Sequence, residues 1–343
     1  MNHSSKIIST LVLTLLASVS LWSVPLHNFP LKLTQPDGAV FDCYTSGDEY
    51  YDWLHDKNGY TIQQNDQGWY VYVRQVGTEL VFTDLIAGRD QPNKSITPGA
   101  QLPDSEIKRI TDSERARLSI MRCKYSPTSG YLNNLVIFVR FSDQSEFGQA
   151  TDTYATMFNG FNSNTMQAYF KEVSYDALNI VSFFYPPSQN TMVVSWQDSH
   201  PRNYYCPYNL ILNPIGYHEN ERVEREYDLL ERTIIGVCSA IPPSLVIDQN
   251  NDGEVDNVCF IIQGAHESGQ NQILKPHRYG FNDRDVRING VRVGVYNVQI
   301  SEHLLLTGTG TLCHEMFHSL GAPDLYRYDQ EIEEMFGPMG KWD

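Results

Sequence analysis

The feature that most constrains the fold is an unbroken apolar run, Leu135-Val136-Ile137-Phe138-Val139. Five consecutive apolar side chains suit a strand buried at the centre of a sheet, because a half-exposed strand alternates apolar with polar residues. Residues 258–262 read as a second buried strand. Met166, Tyr169, Phe170 and Val173 fall at i, i+3, i+4 and i+7, one face of a helix, with a cap expected at Ser163 or Asn164. A longer helix is expected over residues 219–238, with Val223, Leu230, Ile234 and Val237 inward. Asn289-Gly290, between Val286-Arg287-Ile288 and Val291-Arg292-Val293, signals a two-residue hairpin. Strands and helices mix without strict strand-helix-strand alternation, so the expected class is α+β.

Residues 26–86 differ. Short alternating strands such as Trp69-Tyr70-Val71-Tyr72-Val73 are punctuated by turn signals at Pro36-Asp37-Gly38, Lys57-Asn58-Gly59 and Asp66-Gln67-Gly68, the pattern of a small β-rich module. Residues 90–103, rich in Pro, Gly, Asn, Ser and Gln, read as a linker. Residues 104–124 suggest a weakly amphipathic helix through Ile107, Ile110, Leu118 and Met121, ending in the basic residues Arg115, Arg117, Arg122 and Lys124, open to trypsin-like cleavage.

At 343 residues there is room for two domains. Lys+Arg 25 against Asp+Glu 41 leaves a formal charge of -16, which repels phosphate backbones and anionic membrane surfaces and excludes nucleic acid as a partner. The start, with Lys6 and an apolar run over residues 7–22, has the form of a signal peptide, so export to the extracellular space or cell surface is expected. Ser9, Thr10, Thr14, Ser18 and Ser20 interrupt that run and argue against an uncleaved anchor. No later segment has the roughly 18 uninterrupted apolar residues of a spanning helix, so no membrane partner is expected once the signal is removed. Outside the cell, the even number of cysteines, Cys43, Cys123, Cys206, Cys238, Cys259 and Cys313, permits disulfides.

The chemistry sits in Thr311-Leu312-Cys313-His314-Glu315-Met316-Phe317-His318-Ser319-Leu320-Gly321-Ala322-Pro323-Asp324. Residues four apart share a helix face, so His314 and His318 can present imidazole nitrogens to one ion. Zinc accepts nitrogen and oxygen ligands tetrahedrally and a catalytic site keeps one position open, so a third protein ligand is required. Asp324 supplies it best, because Gly321 can take the left-handed conformation that ends a helix and Pro323 prevents its resumption. Glu315 is the expected general base for hydrolysis.

With these residues the chain resembles the immune inhibitor A family of secreted bacterial metalloproteases, whose helix reads HExxHxxGxxD followed by Leu-Tyr, as in Asp324-Leu325-Tyr326 here. Gln35-Pro36-Asp37-Gly38, Gly47-Asp48-Glu49-Tyr50 and Asp56-Lys57-Asn58-Gly59-Tyr60 look like that family's propeptide signature. Residues 248–264 and Pro276-His277-Arg278 look like its catalytic-domain signatures. The resemblance implies a zincin/metzincin-like catalytic domain with a twisted sheet and endopeptidase activity on protein or peptide substrates. The expected organisation is a signal over residues 1–23, a prodomain and linker over 24–112 acting as an intramolecular inhibitor, and a catalytic domain over 113–343. The family continues beyond the point reached at Gly337-Pro338-Met339-Gly340-Lys341-Trp342-Asp343, so a C-terminally truncated catalytic domain is expected.

A second ion is suggested by Asp248, Asn250, Asp252 and Asp256, which space oxygens as the first part of an EF-hand calcium loop does, with Gly253 at position 6. Position 12 is Cys259, and the plain alternative is an Asx-rich turn bonding its own backbone. His266, His277 and His303 lack ligand spacing to one another and read as structural. The competing function is a catalytically inactive, calcium-stabilised extracellular binding protein of the same fold; retention of Glu315 beside both histidines argues against it.

Overall fold

The computed structural model describes residues 26–47, 51–65, 67–119, 123–161, 164–265 and 272–322. The signal segment, Asp324 and Tyr326 lie outside the described residues. No described helix is long and apolar enough to cross a membrane.

Strands β1 (Leu26–Thr34), β2 (Val40–Gly47), β3 (Asp52–His55), β4 (Thr61–Gln64), β5 (Tyr70–Val76) and β6 (Glu79–Ile86) pair in chain order as an antiparallel sheet. Phe41, Leu54, Ile62 and Tyr72 form its small core. The stretch expected as a linker is instead packed onto this sheet: Ile96 and Ala100 are buried, and Gly99 N–H donates to the Gly59 carbonyl at 2.8 Å. Its few apolar side chains fill a core too small to close without them. Helix α1 (Asp104–Ser119) follows.

The second region is built around β7 (Gly130–Arg140). After it come α2 (Thr151–Phe158), α3 (Met166–Val173), β8 (Leu178–Tyr185), β9 (Trp196–Gln197), α4 (Arg222–Val237), β10 (Asn257–Ile262), β11 (His277–Gly280), β12 (Arg287–Ile288), β13 (Val291–Arg292), β14 (Val295–Ile300), α5 (Ser301–Thr307) and α6 (Thr309–Ser319). The main sheet runs β11-β14-β10-β7-β8; β8, β7, β10 and β14 are parallel and edge strand β11 is antiparallel. The molecule is mixed α+β.

The apolar run explains itself in this setting. Leu135, Ile137 and Val139 enter one core with Leu230, Ile234 and Val237 of α4, while Val136 and Phe138 enter the opposite core with Phe158, Phe170, Leu312 and Met316. A strand covered on both faces has no place for a polar alternate. Fully burying each such side chain contributes roughly 1.5–3 kcal/mol. Helix α3 is capped by Thr165, whose hydroxyl accepts from Ala168 N–H at 3.0 Å, one position beyond Asn164. The Asn289-Gly290 turn joins β12 to β13 with φ of 49° and 88°, the left-handed pair such a hairpin requires.

No disulfide forms among the described residues. Cys43 lies in the N-terminal core, whereas Cys259 and Cys313 lie in the core beneath α6, where thiols pack as small apolar groups. Burial pushes the Cys43 and Cys313 thiols up to about 12. A protonated, buried Cys43 is not presented as a metal ligand.

Candidate metal centre

Helix α6 begins at Gly308, whose φ of 65° and ψ of −139° close α5 and open the next helix at a sharp corner. That backbone suits glycine alone without strain. Leu312, Cys313 and Met316 then bury one face of α6 against Val136, Phe138, Cys259 and Ile261 of the sheet. This seating fixes the rotation of the helix and brings His314 and His318 to one side.

The two Nε2 atoms are 2.9 Å apart and the rings meet edge to face, with centroids 4.3 Å apart at 79°. Glu315 Oε1 is 3.9 Å from His314 Nε2, and its side chain is 3% exposed. Among the described residues, His314, Glu315 and His318 are the group of three whose ligand atoms all lie within 4.8 Å of one another.

The tautomer of His318 follows from its other nitrogen. Nδ1 lies 2.8 Å from the Ala322 carbonyl oxygen, which can only accept, so Nδ1 carries the hydrogen and Nε2 of the neutral ring carries the lone pair. Such a second bond orients a histidine ligand and raises its basicity. Ala322 is placed by the end of the helix. Gly321, at φ 95°, donates to the His318 carbonyl at 3.1 Å and Ala322 N–H donates to the Phe317 carbonyl at 3.0 Å. These two bonds make a Schellman cap, which turns the chain back over the last turn.

The donors fit a borderline metal such as zinc: imidazole nitrogens with a carboxylate alongside, and an N···N separation near the roughly 3.3 Å of two ligands on a tetrahedral ion. They do not fit calcium, which takes oxygen donors.

The structure thus brings His314, Glu315 and His318 together, while Asp324 lies outside the described residues. The carboxylates of Asp248, Asp252 and Asp256 are turned onto the loop's own backbone. Asp248 accepts from Asp252 and Gly253 N–H, each at 2.9 Å, Asp252 accepts from Glu254 N–H at 2.9 Å, and Asp256 accepts from Gln249 N–H at 3.1 Å. This is the Asx-turn geometry, and these residues form no metal-type group like that on α6. Burial, with the charges of Asp248 and Asp252 adding, pushes Asp256 up to about 7.

His277 and Arg278 of β11, which the spacing rule left aside, also reach this region. Arg278 on β11 is half-buried, and that desolvation lowers its pKa, while the charges of Tyr125, Cys123 and Glu315 work the other way. His277 is ion-paired with Glu226 at 3.1 Å and donates Nδ1–H to the Lys275 carbonyl at 2.8 Å. Burial opposes its charge, but Glu226 raises its pKa overall. His303 is buried and pushed down to about 4 by that burial. The signal available was the triplet Pro276-His277-Arg278; helical spacing to the ligand pair does not reveal it, because the contact between β11 and α6 is made only in the folded chain.

Comparison with protein-family models and with curated proteins returns no match, so the functional conclusion rests on this site and on the motifs that carry the resemblance.

Proposed function

We propose that the chain is the precursor of a secreted zinc-dependent endopeptidase with a zincin-like catalytic domain, of the kind the immune inhibitor A resemblance implies. The observation that carries this reading is the convergence of His314 and His318 Nε2 at 2.9 Å, with the tautomer of His318 set by Ala322 and the Glu315 carboxylate 3.9 Å from His314 Nε2. His314 and His318 hold the ion, and Asp324 is the proposed third ligand. Zinc, when bound, would supply Lewis acidity toward a carbonyl oxygen and acidify a water far enough that hydroxide is available near neutral pH. Glu315 takes the proton from the attacking water and delivers it to the leaving amine, a role worth about 10²–10⁴ in rate. Its burial on α6 holds that carboxylate at one place beside the histidines.

The N-terminal sheet is the proposed inhibitory cover. Phe29 of β1 packs against His303 of α5 with ring centroids 5.2 Å apart, and Gly68 abuts Leu212, where a Cβ would meet that side chain. Both contacts join the sheet to the region that carries the site.

The test is Glu315→Ala in trypsin-matured protein, with metal content and casein cleavage measured together. The expected result is retained zinc and a fall of about 10²–10⁴ in turnover. Unchanged turnover removes Glu315 from the mechanism, and absence of zinc in the unmutated protein removes the metal reading.

A further inference from the structure

Residues 123–126 run between the acidic loop of residues 248–256 and the C-terminal end of α6, and their contacts go to both. The carbonyls of a helix's last turn have no intrahelical donor. Ser126 N–H supplies one, donating to the Ser319 carbonyl at 2.8 Å, while the Ser126 hydroxyl donates to the Asp256 carbonyl. The ring of Tyr125 lies against Gly321: a Cβ built on that glycine would meet Tyr125 Cγ at 3.2 Å. The guanidinium of Arg278 covers the same ring at 5.5 Å from its centroid. Upstream, Lys124 N–H donates to Glu254 Oε2 at 3.0 Å and its ammonium donates to the Asp252 carbonyl.

We propose that Tyr125 and Ser126 are positioning residues for His318, holding the turn whose Ala322 carbonyl keeps that imidazole protonated at Nδ1 and its Nε2 available to a divalent transition metal. The chain of contacts is short. Tyr125 packs on Gly321, Gly321 is the left-handed residue of the cap, and the next residue, Ala322, accepts from His318 Nδ1 at 2.8 Å. Ser126 anchors the same turn from Ser319, the residue after His318. Neither residue touches the reacting atoms; they act through the orientation of a ligand, and orienting partners of this kind typically change metal affinity 10- to 100-fold. The inference rests on the metal-centre reading above for its purpose, but its geometry is independent of any ion.

Two measurements on the full chain separate the two ideas. Nitrogen-15 NMR of the metal-free protein reads the tautomer of His318, and titration with Co²⁺ reads affinity through the visible spectrum. Tyr125→Ala is expected to give a mixed or Nε2-protonated His318 and about tenfold weaker Co²⁺ binding. Tyr125→Phe keeps the ring and should restore both readouts. Ser126→Ala keeps the backbone donor and should leave the tautomer intact, whereas Ser126→Pro removes the donor and should disturb it. If Tyr125→Ala lowers global folding, Tyr125→Leu, which retains bulk over Gly321, gives an intermediate effect on the same two readouts. A wild-type tautomer and wild-type Co²⁺ affinity in Tyr125→Ala overturn the proposal. A wild-type chain with Nδ1-protonated His318 that takes up no Co²⁺ overturns the metal reading instead, and the tautomer still decides the positioning role.

Discussion

The two sheets solve the same burial problem in opposite ways. In the N-terminal sheet every strand pairs with its neighbour in sequence, the core is small, and Val40, Val76 and Phe82 remain exposed. In the second region the parallel strands are joined by crossovers, both faces are covered, and polar side chains are buried in quantity. Asn134, Asn257 and Ser182 bond to one another across the sheet, Glu226 pairs with His277, and Glu315 sits within α6. Burying polar groups is costly unless they are satisfied. The N-terminal sheet buries polar groups too, among them Gln35, Thr45, Asp52 and His55. The second region adds the buried carboxylate of Glu315 on the helix that carries the histidine pair, and precise placement matters most there.

This contrast can be broken by mutation. Phe138→Ala removes a fully buried ring from the core beneath α6 and should destabilise the second region by about 3–5 kcal/mol. Val76→Ala, on an exposed strand end of the N-terminal sheet, should stay within about 0.5 kcal/mol. Urea denaturation followed by tryptophan fluorescence gives both numbers, and equal effects would erase the distinction.

Acidity sharpens it next. Burial alone would raise Glu226, but His277, Tyr296 and Arg222 outweigh it and hold the carboxyl at about 2, while Glu226 holds His277 above its ordinary 6.5. The lowered carboxyl contributes stability that is complete above its ordinary 4.5 and is lost as pH falls toward 2. The raised imidazole contributes stability that is complete below 6.5 and is lost as pH rises through its folded pKa. The contribution of this pair should therefore be largest between about 4.5 and 6.5, with Glu226→Gln flattening both limbs. Thermal melts across pH check this, and an unaltered profile in Glu226→Gln would refute the pairing.

Removing one sheet from the other tests the proposed cover. Limited trypsin digestion within residues 109–124 should release the N-terminal sheet and raise peptidase activity, with the protected fragment beginning no later than Tyr125. Activity that stays level or falls after release would make the sheet a permanent part of the enzyme.

The smallest effect concerns residues 248–256. If this loop takes calcium, melting with zinc saturating should occur a few degrees higher in calcium than in EGTA, as binding to the native state alone requires. Identical melting leaves it as the backbone-bonded turn seen here.

What could be read from the sequence were features set within a few residues. The five-residue apolar run was legible as a central strand because burial on both faces removes every polar alternate. His314 and His318 were legible as a pair because helical spacing alone puts them on one face. Gly321 and Asn289-Gly290 were legible because positive φ is a property of single residues, and all three adopt it. Thr165 rather than Asn164 caps α3 because which of several adjacent polar residues closes a turn depends on where the helix seats on the sheet. The tertiary structure alone decided the order β11-β14-β10-β7-β8, which places Arg278 and His277 near α6, and it alone brought Tyr125 and Ser126 to the end of that helix from almost two hundred positions upstream. It also kept Cys43 apart from Cys259 and Cys313 in separate cores. Long-range contacts of this kind follow from how strands pair and which faces are covered, and local periodicity carries no information about either.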